Sequence, residues 1–497
     1  MYAGPQHDRD RIDGLATFSA AAFLTGMGLI AALERVGAPD RLVEALGPLI
    51  ALVGLVVIGA LTRSARLADF LAARRATPAI YGGLAFAATA AGMVLALQAS
   101  PSGRSPLPGT YVAAGLLIAA LIVAPLVRAA NASAVSDVLA TRFGAARWPL
   151  ALVLWAAGLL VAIAGLDAAV DVVVVNLGQS RRAAEVIVAI ALAMTVVPGG
   201  LKGLLWSDAA SAGGALAIAA IGAGLAWSGA GAPAAPLGAG WLVAPQAPAD
   251  ETALLFDVAV ALGVGVFFAF TPPAIGAPPG QAVRVGVYGL LFGFAGLVLG
   301  ASGLAAFWPE AAAGGRSPTA SALVGAATWL PALALARAGV FGAARAVGVD
   351  LVTAYGHLAV LASARIARTR LMMLAIIVLA TAATDVRLVG ASKAIVLALA
   401  LNLALVAPSL VLAAVSRWRW PTALAALAIS AATLAKLAPS AGLAASPSEI
   451  LIDALIASAV SLIAGAVVGA VTTWTTGAQR RVARADPFSD LPFEASD

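Results

Sequence analysis

Apolar runs of about 20 residues, separated by short polar segments, dominate this sequence. Such a run crosses a bilayer as a helix, because each backbone N–H and C=O must find its partner within the segment. With 62% hydrophobic and 11% charged residues over 497 positions, the chain is predicted to be an all-α polytopic membrane protein. Fourteen candidate spans begin near residues 14, 46, 80, 110, 148, 183, 207, 254, 284, 322, 371, 393, 421 and 449.

The basic residues predict how the spans are oriented. An even number of spans places both termini on one side, and most of the 30 Lys and Arg residues fall in loops on that side. Basic loops remain in the cytoplasm. We therefore expect a multi-pass protein of the cell inner (plasma) membrane with both termini cytoplasmic. The net charge of +6 then reflects topology, and we expect no nucleic-acid partner.

The composition also argues against several kinds of chemistry. The chain has no Cys and only two His residues, which leaves little for disulfides or a metal centre. It shows no Ser/His/Asp constellation and no phosphate-binding Gly loop with a Lys. We therefore predict that the protein is not an enzyme and has no catalytic residues, no cofactor and no metal other than a coupling sodium ion. The expected partners are the lipid bilayer, a small-molecule solute, and either a small membrane protein or a second copy of the chain.

Two apolar segments contain residues that weaken helices. The first follows a basic loop with Asp69 and carries Gly82, Gly83, Thr89 and Gly92. The second ends the eighth span with the sequence FAFTPPAIGAPPG. Interrupted helices in corresponding positions of two halves mark the central site of many transporters. We therefore predict a broken helix in each segment and a binding site between them.

The order of the spans predicts two similar halves. Spans three to seven begin inside and spans eight to twelve begin outside, which gives two five-helix units of opposite topology, as an inverted repeat requires. The predicted division is two N-terminal spans and a cytoplasmic loop (1–79), the first repeat (80–229), an extracellular loop (230–253), the second repeat (254–418), two C-terminal spans (419–475) and a cytoplasmic tail (476–497).

Three sequence segments resemble the sodium/solute symporter family. The run SARLADFLAARR followed by GGLAFAAT is similar to the loop and first core helix of that family, where S-x-x-D-F-x-x-A-x-R precedes G-L-x-x-A-A-T. SDVLATRFG and PGGLKGLLWSDAASAGG resemble its D/E-x-L-x-x-R-F-G and G-G-x-x-A-V-x-W-T-D segments. The resemblance implies a LeuT-type fold with a 5+5 inverted-repeat core, alternating access and sodium-driven transport. By pattern it is nearest to the monocarboxylate or acetate permease branch.

The tenth span departs from the family pattern. The family places hydroxyls there in A-A-x-S-T-x-D-S, whereas this chain reads GAARAVGVDLVTAYGHL. The hydroxyl positions hold Ala346 and Val347 in one register, and Val347 and Gly348 in the next. The resemblance thus implies a degenerate sodium site, with a backbone half near Ala85 and Ala88, and it leaves sodium and protons as alternative coupling ions.

Ionisable residues within spans complete the set of candidates. Arg337 and Arg345 lie eight residues apart in span ten, where they can replace or repel a cation, pair with Asp350, bind a substrate carboxylate, or form an internal salt bridge. Asp167 and Asp171 share one helix face and either line an ion pathway or sit at a solvated helix end. The candidates are Gly82, Gly83, Thr89, Phe270, Thr271 and Arg345 for substrate, Ala85, Ala88 and Asp350 for the ion, and Asp167, Asp171 and Asp257 for an ion pathway.

These features predict a secondary active transporter. We expect it to carry a small organic solute, with a monocarboxylate as the expected substrate, by alternating access with sodium or proton coupling. The alternative is a symporter-like sensor or structural subunit of a membrane complex that does not transport. The missing hydroxyls of span ten favour this alternative.

Overall fold

The computed structural model describes residues 5–98, 109–130, 132, 135–143, 147–227, 251–296, 317–351, 361–415, 428, 431–432 and 446–476. Within these ranges the chain is helical and contains no β-strand. Nine of the described helices are long and apolar enough to cross a membrane, and one bent pair makes a tenth. The prediction of an all-α polytopic membrane protein is confirmed.

The described helices follow the predicted order of spans. We number them α1 (Pro5–Arg35), α2 (Asp40–Leu61), α3 (Leu67–Ala72), α4 (Ala79–Gln98), α5 (Gly109–Ala129), α6 (Val135–Phe143), α7 (Arg147–Leu177), α8 (Arg181–Val196), α9 (Gly200–Trp227), α10 (Glu251–Gly265), α11 (Pro272–Ile275), α12 (Ala282–Gly296), α13 (Pro318–Leu351), α14 (Ala362–Asp385), α15 (Ala391–Ala413) and α16 (Pro447–Thr476). The largest difference among the ten core spans is α14, which begins at Ala362 instead of near residue 371.

Part of the prediction lies outside the described residues. This part comprises the start of span thirteen near residue 421, most of the loop 230–253 and nearly all of the tail 476–497. The count of fourteen spans, the boundaries of the repeats and the orientation in the membrane therefore stay predictions.

Helix α13 lies at the centre of the bundle and packs along α4, α7 and α9. Small residues allow this approach, since the helix backbones nearly touch where glycines meet. A Cβ atom added at Gly339 of α13 would lie 2.3 Å from the backbone N of Ala162 in α7. One added at Gly165 of α7 would lie at the same distance from the N of Ala336. The two helices are thus fixed against each other along several turns.

Helix α4 corrects one prediction, because it is continuous from Ala79 to Gln98 and not broken. Its glycines serve close packing instead of unwinding. A Cβ atom at Gly83 would lie 2.4 Å from Cβ of Tyr288 in α12, and one at Gly92 would lie 2.2 Å from the carbonyl oxygen of Pro331 in α13. The composition that suggested a weak helix therefore reflects two tight helix contacts.

The second predicted break is confirmed. The segments Ala253–Gly265 and Phe268–Ile275 meet at an angle of 42°. Pro272 and Pro273 occupy the first turn of α11, where a missing N–H costs no helix hydrogen bond, so they suit a helix that begins anew after the bend. The hydroxyl of Thr271 donates to the carbonyl of Phe268 at 2.8 Å.

The segment before α4 is tied to its neighbours by backbone carbonyls. Arg370 of α14 donates to the carbonyls of Ser64 and Pro198 at 2.6 and 2.8 Å, and to that of Val197 at 3.2 Å. Its guanidinium also lies 5.3 Å from the ring centre of Phe70 in α3. One side chain therefore joins α14, the loop before α3 and the turn between α8 and α9.

Candidate functional site

A small cavity lies beside the break between α10 and α11. Its volume is about 40 Å³, which is room for about three water molecules at roughly 10–15 Å³ each. An organic solute would not fit without movement of the walls. The cavity is lined by Val135, Ser136, Leu154, Leu201, Phe268, Thr271, Pro272, Ile275, Phe341, Gly342, Arg345, Ala346 and Asp350. Its polar groups come from α6, the broken helix and α13.

Two polar contacts join α6 to the C-terminal part of α13 at this cavity. Arg345 donates from Nη2 to Oδ2 of Asp137 at 3.0 Å, and both side chains are more than nine-tenths buried. Ser136 donates to the carboxylate of Asp350. The backbone of α13 changes to a π-helix over Ala346–Leu351, a local irregularity that is frequent at functional sites. The short helix α6 is thus held in place by two buried polar contacts.

A second charged pair lies about two turns away along α13, at its contact with α9. Arg337 donates from Nε to Oδ1 of Asp208 at 2.8 Å and from Nη2 to the hydroxyl of Ser211 at 2.8 Å. All three residues are completely buried. The pairing explains how α13 carries a second arginine at membrane depth, since the charge is neutralised by a partner on the adjacent helix.

The residues of the predicted ion site lie in two separate places in this conformation. Ala85 and Ala88 belong to the unbroken helix α4 and do not line the cavity that contains Asp350. The carbonyl of Ala85 already accepts a bond from Thr89 at 3.2 Å. On the α13 side, Asp350 is bonded to Ser136, and the polar group nearby is the Arg345 guanidinium. The structure therefore does not bring the predicted oxygen ligands together.

The predicted substrate residues divide into two groups. Thr271 and Arg345 line the cavity. Phe270 is buried next to it and packs on Phe86 of α4, with ring centres 5.1 Å apart. Gly82 and Gly83 lie instead against α12, and the hydroxyl of Thr89 bonds within its own helix. The second group therefore contributes to packing in this conformation.

The three carboxylates of the predicted ion pathway lie apart from the cavity. Arg181 of α8 pairs with both Asp167 and Asp171, the second contact measuring 2.8 Å. Asp167 also accepts a bond from the backbone N of Ala391 at 2.9 Å. Asp257 accepts a hydrogen bond from Tyr111 of α5. The contacts of Asp167 and Asp171 are those of an ion-pair network at a helix end, whereas the partner of Asp257 is a phenol. The role of all three carboxylates in an ion pathway stays a prediction.

Four residues of these polar networks were missed as site residues by the sequence analysis, namely Ser136, Asp137, Asp208 and Ser211. A signal for them was present. The segments SDVLATRFG and WSDAAS each place an aspartate within a stretch that resembles the symporter family, and span ten carries two arginines. An aspartate in each of these segments and two arginines in span ten indicate two pairs, although the sequence does not show which acid meets which base.

The fold is shared with a solved transporter. The structure matches a Na+-coupled sialic acid symporter, described in a substrate-bound outward-open state, with a TM-score of 0.65 and 13% sequence identity. The match covers 87% of this chain and 98% of the symporter. No protein-family model and no curated protein matches the sequence. At this identity the similarity establishes the fold, and it does not support assignment to the monocarboxylate branch.

Proposed function

We propose that the chain is a secondary active transporter of a small organic solute and works by alternating access. The observation that carries the proposal is the broken helix α10–α11, which faces a small cavity lined in part by Thr271, Arg345 and Asp350. A broken helix at membrane depth is tolerated where it is buried in protein or lines a cavity. The shared fold with a Na+-coupled symporter supports the same function.

The solute class that the cavity favours is a carboxylate. In the observed conformation Arg345 binds the carboxylate of Asp137 at 3.0 Å. A solute carboxylate presents the same acceptor geometry to a guanidinium and can compete for it. Such competition would release α6 from α13 and so couple solute binding to opening of the cavity. A monocarboxylate small enough to enter an enlarged cavity is the substrate we propose.

Two coupling ions fit the proposal, and they predict different behaviour. The neighbouring structure is coupled to Na+. In this conformation the predicted sodium ligands lie apart, whereas Asp350 lines the cavity and Asp137 pairs with the cavity-lining Arg345. Proton coupling would use these carboxylates, and sodium coupling would require a site elsewhere in the chain.

The test is uptake into proteoliposomes of labelled acetate, pyruvate and sialic acid under an inward sodium gradient, an inward proton gradient, or neither. We expect uptake of a monocarboxylate that is accelerated by one of the two gradients. Ala346→Leu, which enlarges a cavity-lining side chain, should abolish it. The matched control Ala91→Leu changes an exposed position of α4 and should leave uptake intact. Equal uptake with and without gradients would contradict the proposal.

A second candidate function is a symporter-like protein that does not transport. The observation that favours it is the small size of the cavity, which Arg345 helps to line while bonded to Asp137. An occluded transporter can show the same geometry, so motion distinguishes the two. A cavity that remains closed in every gradient, together with a stable complex with another membrane protein, would support this second function.

A further inference from the structure

The contact between α9 and α13 contains a polar cluster that the cavity does not use. Its members are Ser207, Asp208 and Ser211 of α9 and Arg337 of α13, and each has no exposed surface. Helix α4 closes the third side, where Ala88 packs with alanines of α9 and α13. The cluster is therefore surrounded by protein in a part of the fold where all three helices meet.

The charges of Arg337 and Asp208 neutralise each other, yet some polar atoms of the cluster have no hydrogen-bond partner among the described residues. Arg337 uses Nε and Nη2 to bind Asp208 and Ser211, both at 2.8 Å. Among the described residues, no hydrogen-bond partner reaches Oδ2 of Asp208, the hydroxyl of Ser207 or Nη1 of Arg337. Two of these three atoms are oxygens on adjacent residues of α9. The site thus contains one carboxylate oxygen and one neighbouring hydroxyl oxygen that could each coordinate a cation.

A buried carboxylate in a membrane helix requires a compensating positive charge. The charge can come from an ion taken from water or from a side chain of the protein. Here the guanidinium of Arg337 supplies the positive charge. It donates hydrogen bonds to Oδ1 of Asp208 and to the hydroxyl of Ser211, the two oxygens that a bound cation would need as ligands. A sodium ion does not fit beside this guanidinium, because two like charges would share one carboxylate.

We propose that Arg337 is a tethered cation that stands in place of a bound monovalent cation at the contact between α9 and α13. Removal of its charge would then uncover a sodium site built from the carboxylate of Asp208 and the hydroxyls of Ser207 and Ser211. Carboxylate and hydroxyl oxygens are hard ligands of the kind that alkali and alkaline-earth cations prefer. The importance of this site for ion coupling rests on the proposed transport function, whereas the site itself is testable without a solute.

The experiment measures thermal unfolding of the full chain in nanodiscs, at equal ionic strength in NaCl, KCl or choline chloride. Any effect of sodium on the wild-type midpoint should not depend on Asp208, because Arg337 occupies that carboxylate. For Arg337→Gln, the midpoint should rise with sodium concentration along a saturation curve, as a ligand of the folded state requires. In the double variant Asp208→Asn with Arg337→Gln, the rise should be lost. Arg337→Lys keeps a tethered charge and should behave like the wild type.

Three results would overturn the inference. The first is an Arg337→Gln protein that unfolds cooperatively at one temperature in all salts. The second is a wild type that sodium stabilises through Asp208. If Arg337→Gln is too unstable for an unfolding midpoint to be measured, its yield after purification in NaCl is compared with its yield in choline chloride. A higher yield in sodium that disappears with Asp208→Asn supports the inference, and equal yields in both salts, the third result, contradict it.

The outcome is separate from that of the proposed function. A wild type that carries no solute, combined with sodium-dependent stability of Arg337→Gln, would refute transport and leave the tethered cation in place. Gradient-driven uptake by the wild type, combined with an Arg337→Gln variant whose stability does not depend on sodium, would support transport and refute the tethered cation.

Discussion

Replacing Asp137 by Asn should destabilise the fold by weakening the contact between α6 and α13. The substitution keeps the shape of the side chain but leaves the buried guanidinium of Arg345 without the carboxylate at 3.0 Å. Loss of one partner from a buried ion pair costs about 3–5 kcal/mol. Because Asp350 lies in the same cavity and can take part of the charge, we expect a loss near the lower limit, about 3 kcal/mol.

A double-mutant cycle measures this contact directly. The free energies of unfolding of Asp137→Asn, Arg345→Gln and the double variant would be compared by denaturant titration in mixed micelles. We expect the loss in the double variant to be smaller than the sum of the two single losses, because both single substitutions remove the same contact. Additive losses, or a loss below about 1 kcal/mol for Asp137→Asn, the range of an exposed pair, would refute the view that this pair holds α6 to α13.

Two further predictions concern helix packing and the carbonyl contacts of α14. Gly92→Val should lower the free energy of unfolding by about 1–3 kcal/mol, because its Cβ would lie 2.2 Å from the carbonyl oxygen of Pro331 and would push α4 away from α13. A free energy of unfolding equal to that of the wild type would contradict this packing. Arg370→Gln should cost about 1.5–3 kcal/mol, since the carbonyls of Val197 and Pro198 lose a charged donor. Hydrogen exchange at the turn between α8 and α9 should rise in this variant, and unchanged exchange would refute the assignment.

The placement of the spans was predictable because the bilayer imposes it. A run of apolar residues must be about 20 residues long to cross the hydrocarbon core, so length and composition locate most helices. The break in span eight was predictable because two adjacent prolines are tolerated only in the first turn of a helix, so a new helix had to begin near Pro272.

The continuity of α4 was not predictable from its composition. Glycine weakens a helix, but it also lets two helices approach, and the sequence does not reveal which effect prevails. In α4 the contacts of Gly83 with α12 and of Gly92 with α13 show that packing prevails. The tertiary contacts that stabilise the helix come from segments more than a hundred residues away in the chain.

The partners of the buried arginines were also hidden from sequence reasoning. Asp350 is the acid nearest in sequence to Arg345 and was a natural partner on that ground. The structure shows Arg345 paired with Asp137 and Arg337 paired with Asp208, each on a different helix. Pairing depends on which faces of α6 and α9 meet α13, and this is a property of the packed bundle. The candidate site could therefore be placed on α13 from the sequence, but its network could not.

The central claim is that the cavity opens to each side of the membrane in turn, and cysteine accessibility tests it most directly. The chain has no cysteine, so Ala346→Cys introduces a single thiol into the cavity wall. A membrane-impermeant maleimide would be added to intact cells and to inside-out vesicles, under opposite ion gradients. We predict labelling from both sides, with the gradient shifting its rate in opposite directions. Labelling from one side only, or from neither under all gradients, would contradict the account.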